Sequence, residues 1–416
     1  MILYKILNLR QQHFPLKNNL KKMKQILLVS ILIMLSGCSN DAALKKRAYE
    51  LAHEFIITDG HIDVPWRLND GYEDLSVRTE SGDFDYVRAK EGGLDAPFMS
   101  VYVPSSYQET GGAKEKADSL IDLVNRIADD HPDKFEIATS VNDVNRIFAD
   151  GKIALPMGME NGAPLLDDIS NVQYFYDRGI RYITLTHGKD NLICDSSYDT
   201  TRTWGGLSPF GREVVKEMNR VGIMVDISHV TDEVINQVLD MTDVPVIASH
   251  SSCRYFTPGW ERNMGDDEIR RLKDNGGVIQ INYGSSFVTQ ASQDKRAANA
   301  EKIKVYAEEN GLSADDEALK VYAKKVNEEN PMYADVTEVI DHFDRVVELA
   351  GIDHVAIGSD YDGVGDTLPY GLKDVASYPN LIYHLLKRGY SEEDIEKICY
   401  KNIWRVWSAV EEVAQK

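Results

Sequence analysis

Eight short apolar runs recur along the chain, each followed by an amphipathic stretch, and no other feature limits the fold so strongly. The runs are Phe55–Asp59, Pro97–Val103, Ile153–Met159, Tyr182–Thr186, Ile223–Ile227, Val244–Ser249, Val278–Asn282 and Val355–Ser359. Most are nearly continuous in Val, Ile, Leu and Met rather than alternating, which is the pattern of a parallel sheet covered on both faces. The stretches between them carry helix signals. Ser208-Pro209 opens an apolar stripe through Val214, Val215, Met218 and Val221 that stops at Gly222; Thr231 opens Val234, Ile235, Val238 and Leu239; Asp266-Asp267 precede Ile269 and Leu272 and a stop at Gly276-Gly277. Eight strands alternating with helices over about 350 residues predict an α/β chain folded as a (β/α)8 TIM-like barrel. The competing arrangement, a doubly wound open sheet, lacks a G-x-G-x-x-G after the first run. Between Gly284 and Pro331 the rhythm breaks into Lys, Glu, Asp, Asn and Ala without a strand. This predicts a helical insertion between the seventh and eighth strands, lying over the barrel mouth, with its charges a solvated face.

The N-terminus stands outside this pattern. Lys21, Lys22 and Lys24 precede the apolar run Ile26–Leu35, which ends in Leu35-Ser36-Gly37-Cys38. Ten apolar residues reach about 15 Å as a helix, half a bilayer core, so the segment reads as a signal peptide and not a spanning helix. Its end resembles a bacterial lipobox, with residues 1–37 removed and Cys38 lipidated; a plain signal peptide with an incidental Cys is the alternative. Met23 begins a compact signal of its own, which leaves open that residues 1–22 are an upstream mis-start. The expected mature chain, 38–416, is one barrel domain, exported and membrane-anchored through lipid, periplasmic or on the cell surface. Cleavage removes six of the 46 basic residues and none of the 67 acidic ones, so the mature chain is six charges more negative than the −21 of the whole. Acidity on that scale argues against a nucleic-acid partner and against adsorption to anionic lipid through a basic face. Four cysteines are too few for a disulfide-built scaffold.

Catalytic residues of a barrel stand at the C-terminal ends of its strands. The first run leads into Asp59-Gly60-His61-Ile62-Asp63, the third into Gly158-Met159-Glu160-Asn161-Gly162, the fifth into Asp226-Ile227-Ser228-His229 and the sixth into Ser249-His250-Ser251. In extended backbone His61 and Asp63, two residues apart, point to one side and can converge on one cation. Taken singly, a strand-end His is more often a hydrogen-bonded structural residue. Three His, one Asp and one Glu at equivalent positions form instead a borderline N/O ligand set suited to Zn²⁺. Five ligands exceed what one open catalytic zinc takes, but suit two metals if Glu160 bridges them. His187 follows the fourth run, Arg262 lies after the sixth and Asp360 closes the eighth. A carboxylate at Asp360 is placed to handle a proton, and the Arg262 fork matches a carboxylate. Asp362 reads as a turn former, and His13, His53, His131, His342, His354 and His384 as surface or packing residues.

These motifs resemble the renal (membrane) dipeptidase family, a branch of the amidohydrolase-like metal-dependent barrels. The shared stretches are His-x-Asp in Asp59–Asp63, Gly-Met-Glu-Asn-Gly around Glu160, Leu-Thr-His at His187 and Gly206-Leu-Ser-Pro-Phe-Gly-Arg-Glu-Val-Val215. They continue with Asp226-Ile-Ser-His229, Ser249-His-Ser-Ser252, Arg262-Asn263, Gly358-Ser-Asp-Tyr-Asp-Gly363, Tyr378-Pro379 and Asn402–Arg405. The resemblance spans roughly residues 50–410. It implies a di-zinc site, one ion on His61, Asp63 and Glu160 and the other on Glu160, His229 and His250. By the same resemblance His187 polarises the scissile carbonyl, Arg262 holds the substrate carboxylate, Asp360 moves the proton, and a metal-bridging hydroxide cleaves dipeptides bearing a free C-terminal carboxylate. A homodimer is a family expectation only. The competing functions are a related amidohydrolase acting on N-acyl or D-amino-acid-containing amides, with identical metal chemistry, and a non-catalytic peptide-binding lipoprotein, which would need no Asp360. No disulfide is carried over to Cys194, Cys253 and Cys399.

Overall fold

Burial of both faces draws the apolar runs into a single parallel sheet. The computed structural model describes residues 41–242 and 244–414 of the chain, so the leader, Cys38 and His13 lie outside the described residues. The strands are β1 (Ile57–Ile62), β2 (Leu94–Tyr102), β3 (Phe135–Ile137), β4 (Ile153–Leu155), β5 (Met157–Glu160), β6 (Ile180–Thr184), β7 (Met224–Asp226), β8 (Ile247–Ser251), β9 (Val278–Ile281) and β10 (Val355–Ile357). Eight of them pair side by side in the order β1-β2-β5-β6-β7-β8-β9-β10. The seam closes where Ile62 bridges Tyr361, with Asp63 N–H donating to Tyr361 O at 2.8 Å and Asp360 N–H donating to His61 O at 3.0 Å. This is the expected α/β barrel.

The third apolar run departs from expectation. Pro156 has no N–H, and the chain divides there into β4 and β5. β4 leaves the barrel and pairs in parallel with β3, a strand the sequence analysis did not find, in a separate two-stranded sheet. Predicted helix starts hold: Ser208 accepts from Gly211 N–H ahead of the Pro209–Val221 helix, Gly222 ends it at φ 96°, and Thr231 caps Asp232–Met241. The insertion is helical as predicted, in pieces Ser285–Val288, Gln290–Asn310 and Glu317–Glu329.

Opposite the catalytic end, the Asn402–Ala414 helix packs Ile403, Trp404, Val406, Trp407 and Val410 against Phe98, Ala154, Met224, Ile247 and Val278. Trp404 Nε1–H donates to Thr58 Oγ1 at 3.0 Å. With that end filled, the other end is left to carry the chemistry. No helix among the described residues is long and apolar enough to cross a membrane.

Candidate active site

Glu160, the last residue of β5, is 4% exposed and stands at the centre of the strand ends. Its two oxygens face different partners. Oε2 lies 3.5 Å from His61 Nε2, while Oε1 lies 3.1 Å from His229 Nε2, 3.3 Å from His250 Nε2 and 3.5 Å from His187 Nε2. His61 Nε2 is also 3.4 Å from Asp63 Oδ2, and the His229 and His250 Nε2 atoms are 2.8 Å apart. All five predicted ligands therefore meet. The route taken by Asp63 differs from the expectation of extended backbone, because it sits at φ −95°, ψ 29° as the residue opening the Val64–Asp70 helix. Its side chain reaches the cluster through that turn.

A layer of hydrogen bonds behind the cluster aims the imidazoles. Asp226 at the end of β7 accepts from Ser228 N–H, Ser249 N–H, Ser249 Oγ–H and Thr184 Oγ–H at 3.0, 2.8, 2.6 and 2.5 Å. The single proton of the Ser249 hydroxyl is committed to Asp226, so its oxygen, 2.8 Å from His250 Nδ1, accepts from that nitrogen. His250 thus carries its proton on Nδ1 and turns a lone pair on Nε2 toward Glu160. His61 Nδ1 meets Tyr182 Oη at 2.7 Å. Tyr182 crosses the barrel only because Gly158 has no side chain; a Cβ there would lie 2.0 Å from the Tyr182 ring. Asp59 accepts from His61 N–H and Ser359 N–H at 3.0 Å each, and from Tyr378 Oη–H, tying β1 to the β10 end at the seam. His229 and Asp360 both adopt left-handed backbone, φ 69° and 63°. Non-glycine residues hold that region at a cost of roughly 1–3 kcal/mol each, typically at functional sites.

The electrostatics call for cations. Burial, the positive charge of Arg262 and neighbouring His187 push His229 well below its ordinary value, and burial with His61 lowers His250 to about 3. Both are therefore neutral imidazoles, the ligand form. Burial favours protonated Glu160, but the surrounding His187, His61, His229 and His250 rings outweigh it and hold the carboxyl well below its ordinary value. His61 is displaced upward despite its burial, by Tyr182, Asp63 and Glu160. Buried His61 Nε2 and Asp63 Oδ1 have no hydrogen-bond partner, and ligand atoms of His61–Glu160–His250, Glu160–His187–His229 and His61–Asp63–Asp360 each gather within 4.8 Å. Donors about 2.0–2.1 Å from a tetrahedral cation lie roughly 3.3 Å apart. The spacings of 2.8–3.5 Å around Glu160 match that, and two oxygens facing two donor sets suit a bridging carboxylate.

The cluster forms the floor of a cavity of about 490 Å³, walled by Trp66, Tyr102, Tyr198, Trp260 and Phe287, with Asp360 and His187 also in the lining. Asp360 Oδ2 accepts from Asn282 Nδ2–H at 2.7 Å, and burial together with Asp63 raises this carboxyl well above the ordinary range. Gly363 lies against the same carboxylates: a Cβ there would stand 2.1 Å from Asp63 Oδ2 and 2.3 Å from Asp360 Oδ1. Arg262 sits deeper than the sequence suggested, 2% exposed, donating to Ser251 Oγ at 2.9 Å and His250 O at 2.8 Å. Its buried Nε–H has no partner. Asp362 is the predicted turn residue at φ 64°, and it also ion-pairs with Arg67 at 3.2 Å. His342 is a packing residue as expected, 0% exposed. Cys194, Cys253 and Cys399 are free, buried thiols.

Sequence reasoning missed Tyr182, Asn282, Ser249, the roles of Asp59 and Asp226, and the aromatic walls. Asp59 inside β1 and Asp226 at the end of β7 each stand two or three residues before a ligand His, and that signal was available.

The chain matches known proteins over nearly its full length. Residues 45–416 match the family described as membrane dipeptidase, peptidase family M19. The chain is 35% identical over 370 residues to dipeptidase tcpJ of Claviceps purpurea, covering 86% of this chain and 77% of that protein. It is 31% identical over 387 residues to an uncharacterized dipeptidase of Schizosaccharomyces pombe, covering 89% and 84%. The crystal structure of the probable dipeptidase PvdM from Pseudomonas aeruginosa superimposes with a TM-score of 0.76 at 27% identity, covering 90% of this chain and all of that one.

Proposed function

The chain belongs to the membrane dipeptidase family, peptidase family M19, and is a metallo-dipeptidase, and we propose that it uses two zinc ions to cleave dipeptides bearing a free C-terminal carboxylate. His61, Asp63 and Glu160 would hold one ion, and Glu160, His229 and His250 the other. Bound there, the ions supply Lewis acidity that polarises the scissile carbonyl and brings the pKa of water toward neutrality. The observation that carries this reading is the division of the two Glu160 oxygens between separate donor sets.

The protein groups divide the remaining work. Asn282 engages Asp360 Oδ2, which leaves Oδ1 to accept a proton from the attacking water and return it to the leaving amine. His187, whose pKa burial and Arg262 lower, donates as a neutral imidazole to the developing oxyanion. Arg262 has used two of its five N–H donors, and the unpartnered Nε–H is among those left for the substrate α-carboxylate. An internal peptide bond would bring no charge to that fork, hence the restriction to a peptide bond followed by a free C-terminal carboxylate. The Tyr102, Trp66, Trp260 and Phe287 walls exclude bulk water from the reacting bond.

The test is an assay on L,L-, L,D- and N-acylated dipeptides with and without chelator. Loss of turnover with chelator and recovery with zinc is expected; full turnover by metal-free protein, or turnover of N-acyl amides alone, overturns the reading. Export as a lipoprotein held through Cys38 is part of the same proposal, supported by Leu35-Ser36-Gly37-Cys38. A Cys38→Ser protein that sediments with membranes like the parent would dispose of the anchor.

A further inference from the structure

In this acidic chain the exposed arginines are generally matched by carboxylates, as in Arg78–Glu91, Arg202–Glu261 and Arg388–Asp341. Beside the catalytic cavity two arginines, one buried and one exposed, lack such a partner. Neither Arg262 nor Arg296 makes an ion pair with a carboxylate among the described residues. Arg262 is buried and already has a role. Arg296 belongs to the Gln290–Asn310 helix of the insertion, is exposed, and lines the same cavity wall as Phe287. Its only hydrogen bond among the described residues is a long one, from Nη1–H to Ser286 Oγ at 3.3 Å. A guanidinium with nearly all its donors uncommitted, at the edge of a substrate cavity, is a fork awaiting an anion.

The position of Phe287 indicates which anion. The Arg262 guanidinium carbon lies 5.1 Å from the Phe287 ring centroid, and Arg296 is tethered to the adjacent Ser286. Arg262 therefore stands over the Phe287 ring and Arg296 is bonded to the residue before it, the two arginines coming from segments that follow neighbouring strands β8 and β9. Tyr198, also in the cavity lining, lies within electrostatic reach of both. Two guanidiniums with uncommitted donors, one over Phe287 and one bonded to Ser286, suit a ligand that carries two carboxylates.

We propose that Arg296 forms a second carboxylate subsite, which takes the anionic side chain of an Asp or Glu at the C-terminal position of the dipeptide while Arg262 holds its α-carboxylate. This rests on the dipeptidase reading with Arg262 as the clamp. The segment expected to be a merely solvated charged face thus contributes to specificity.

The experiment compares kcat/KM for Ala-Glu and the isosteric Ala-Gln in the metal-loaded wild type, Arg296→Gln and Arg296→Glu. An exposed charge-assisted pair predicts a wild-type preference for Ala-Glu of about fivefold. In Arg296→Gln the Ala-Glu to Ala-Gln ratio falls to about one, and Arg296→Glu inverts it while favouring Ala-Lys. A wild-type ratio near one, or a ratio unchanged by either substitution, overturns the proposal. If neither dipeptide is turned over, the dipeptidase reading fails on its own, and calorimetric binding of the same pair decides the subsite. Weakening confined to Ala-Glu in Arg296→Gln supports it, and equal affinities in wild type overturn it.

Discussion

Ser249→Ala separates the role of the hydrogen-bond layer from that of the metal ligands themselves. Ser249 is fully buried, touches no substrate-facing surface, and links Asp226 to His250 through contacts of 2.6 and 2.8 Å. Removing its hydroxyl has two consequences. Asp226 loses one of four donors, and a hydrogen bond to such a group is worth about 1.5–3 kcal/mol, so the metal-free protein should lose stability on that order. His250 loses the acceptor that keeps its proton on Nδ1. The imidazole can then place its proton on Nε2, where Glu160 Oε1 waits at 3.3 Å, and that tautomer has no lone pair for a metal. Loss of such an orienting partner typically weakens metal binding 10–100-fold, about 1.4–2.7 kcal/mol. The assay is competition with a fluorescent zinc chelator at fixed pH, alongside denaturant unfolding of the metal-free protein. A folded Ser249→Ala protein whose zinc affinity stays within about threefold of wild type would refute the tautomer argument.

Three further outcomes follow from the site. Arg262→Ala should reduce dipeptide hydrolysis more than about tenfold and reduce turnover of C-terminally amidated analogues far less; a loss well below tenfold rejects the clamp. Asp360→Asn should lower kcat by roughly 10²–10⁴ with zinc content preserved, and a kcat within tenfold of wild type would remove the proton-transfer role. His342 supplies a pH dependence of stability. Its Nδ1 accepts from Cys253 N–H and its Nε2–H donates to Val288 O, both at 2.9 Å, and burial lowers its pKa to about 4 against 6.5 unfolded. Between those values the unfolded chain binds the extra proton. Its contribution is therefore complete above pH 6.5 and lost as pH falls toward 4, by roughly 3 kcal/mol. Urea unfolding of His342→Gln should show that much less pH dependence across the window, and a slope equal to wild type would refute it.

Much of the site was legible because its chemistry is local. Residue type names a ligand, and a ligand at the C-terminal end of a barrel strand faces the same mouth as all the others. His61, Asp63, Glu160, His187, His229, His250 and Asp360 needed only the strand ends to be located within a residue or two. The misreadings share one cause, which is that the deciding contact spans a long stretch of sequence. Pro156 divides an apolar run whose composition looks uniform, and whether β4 stays in the barrel depends on β3, which is too short and too polar to stand out.

The alternation of apolar and amphipathic stretches determined, by itself, that the chain would close as a barrel, since eight two-faced strands with helical crossovers bury their surfaces best that way. Residue chemistry at the strand ends likewise determined that the mouth would gather His and carboxylate ligands. Tertiary structure alone decided how those ligands are aimed. Tyr182 meets His61 across 121 residues of sequence and Asn282 meets Asp360 across 78. Arg296 reaches the cavity from a helix whose composition reads as solvated surface. Such pairings depend on strand register and on where a long insertion folds back, and neither leaves a periodic trace in the chain, because periodicity records which face is buried and not what lies across from it.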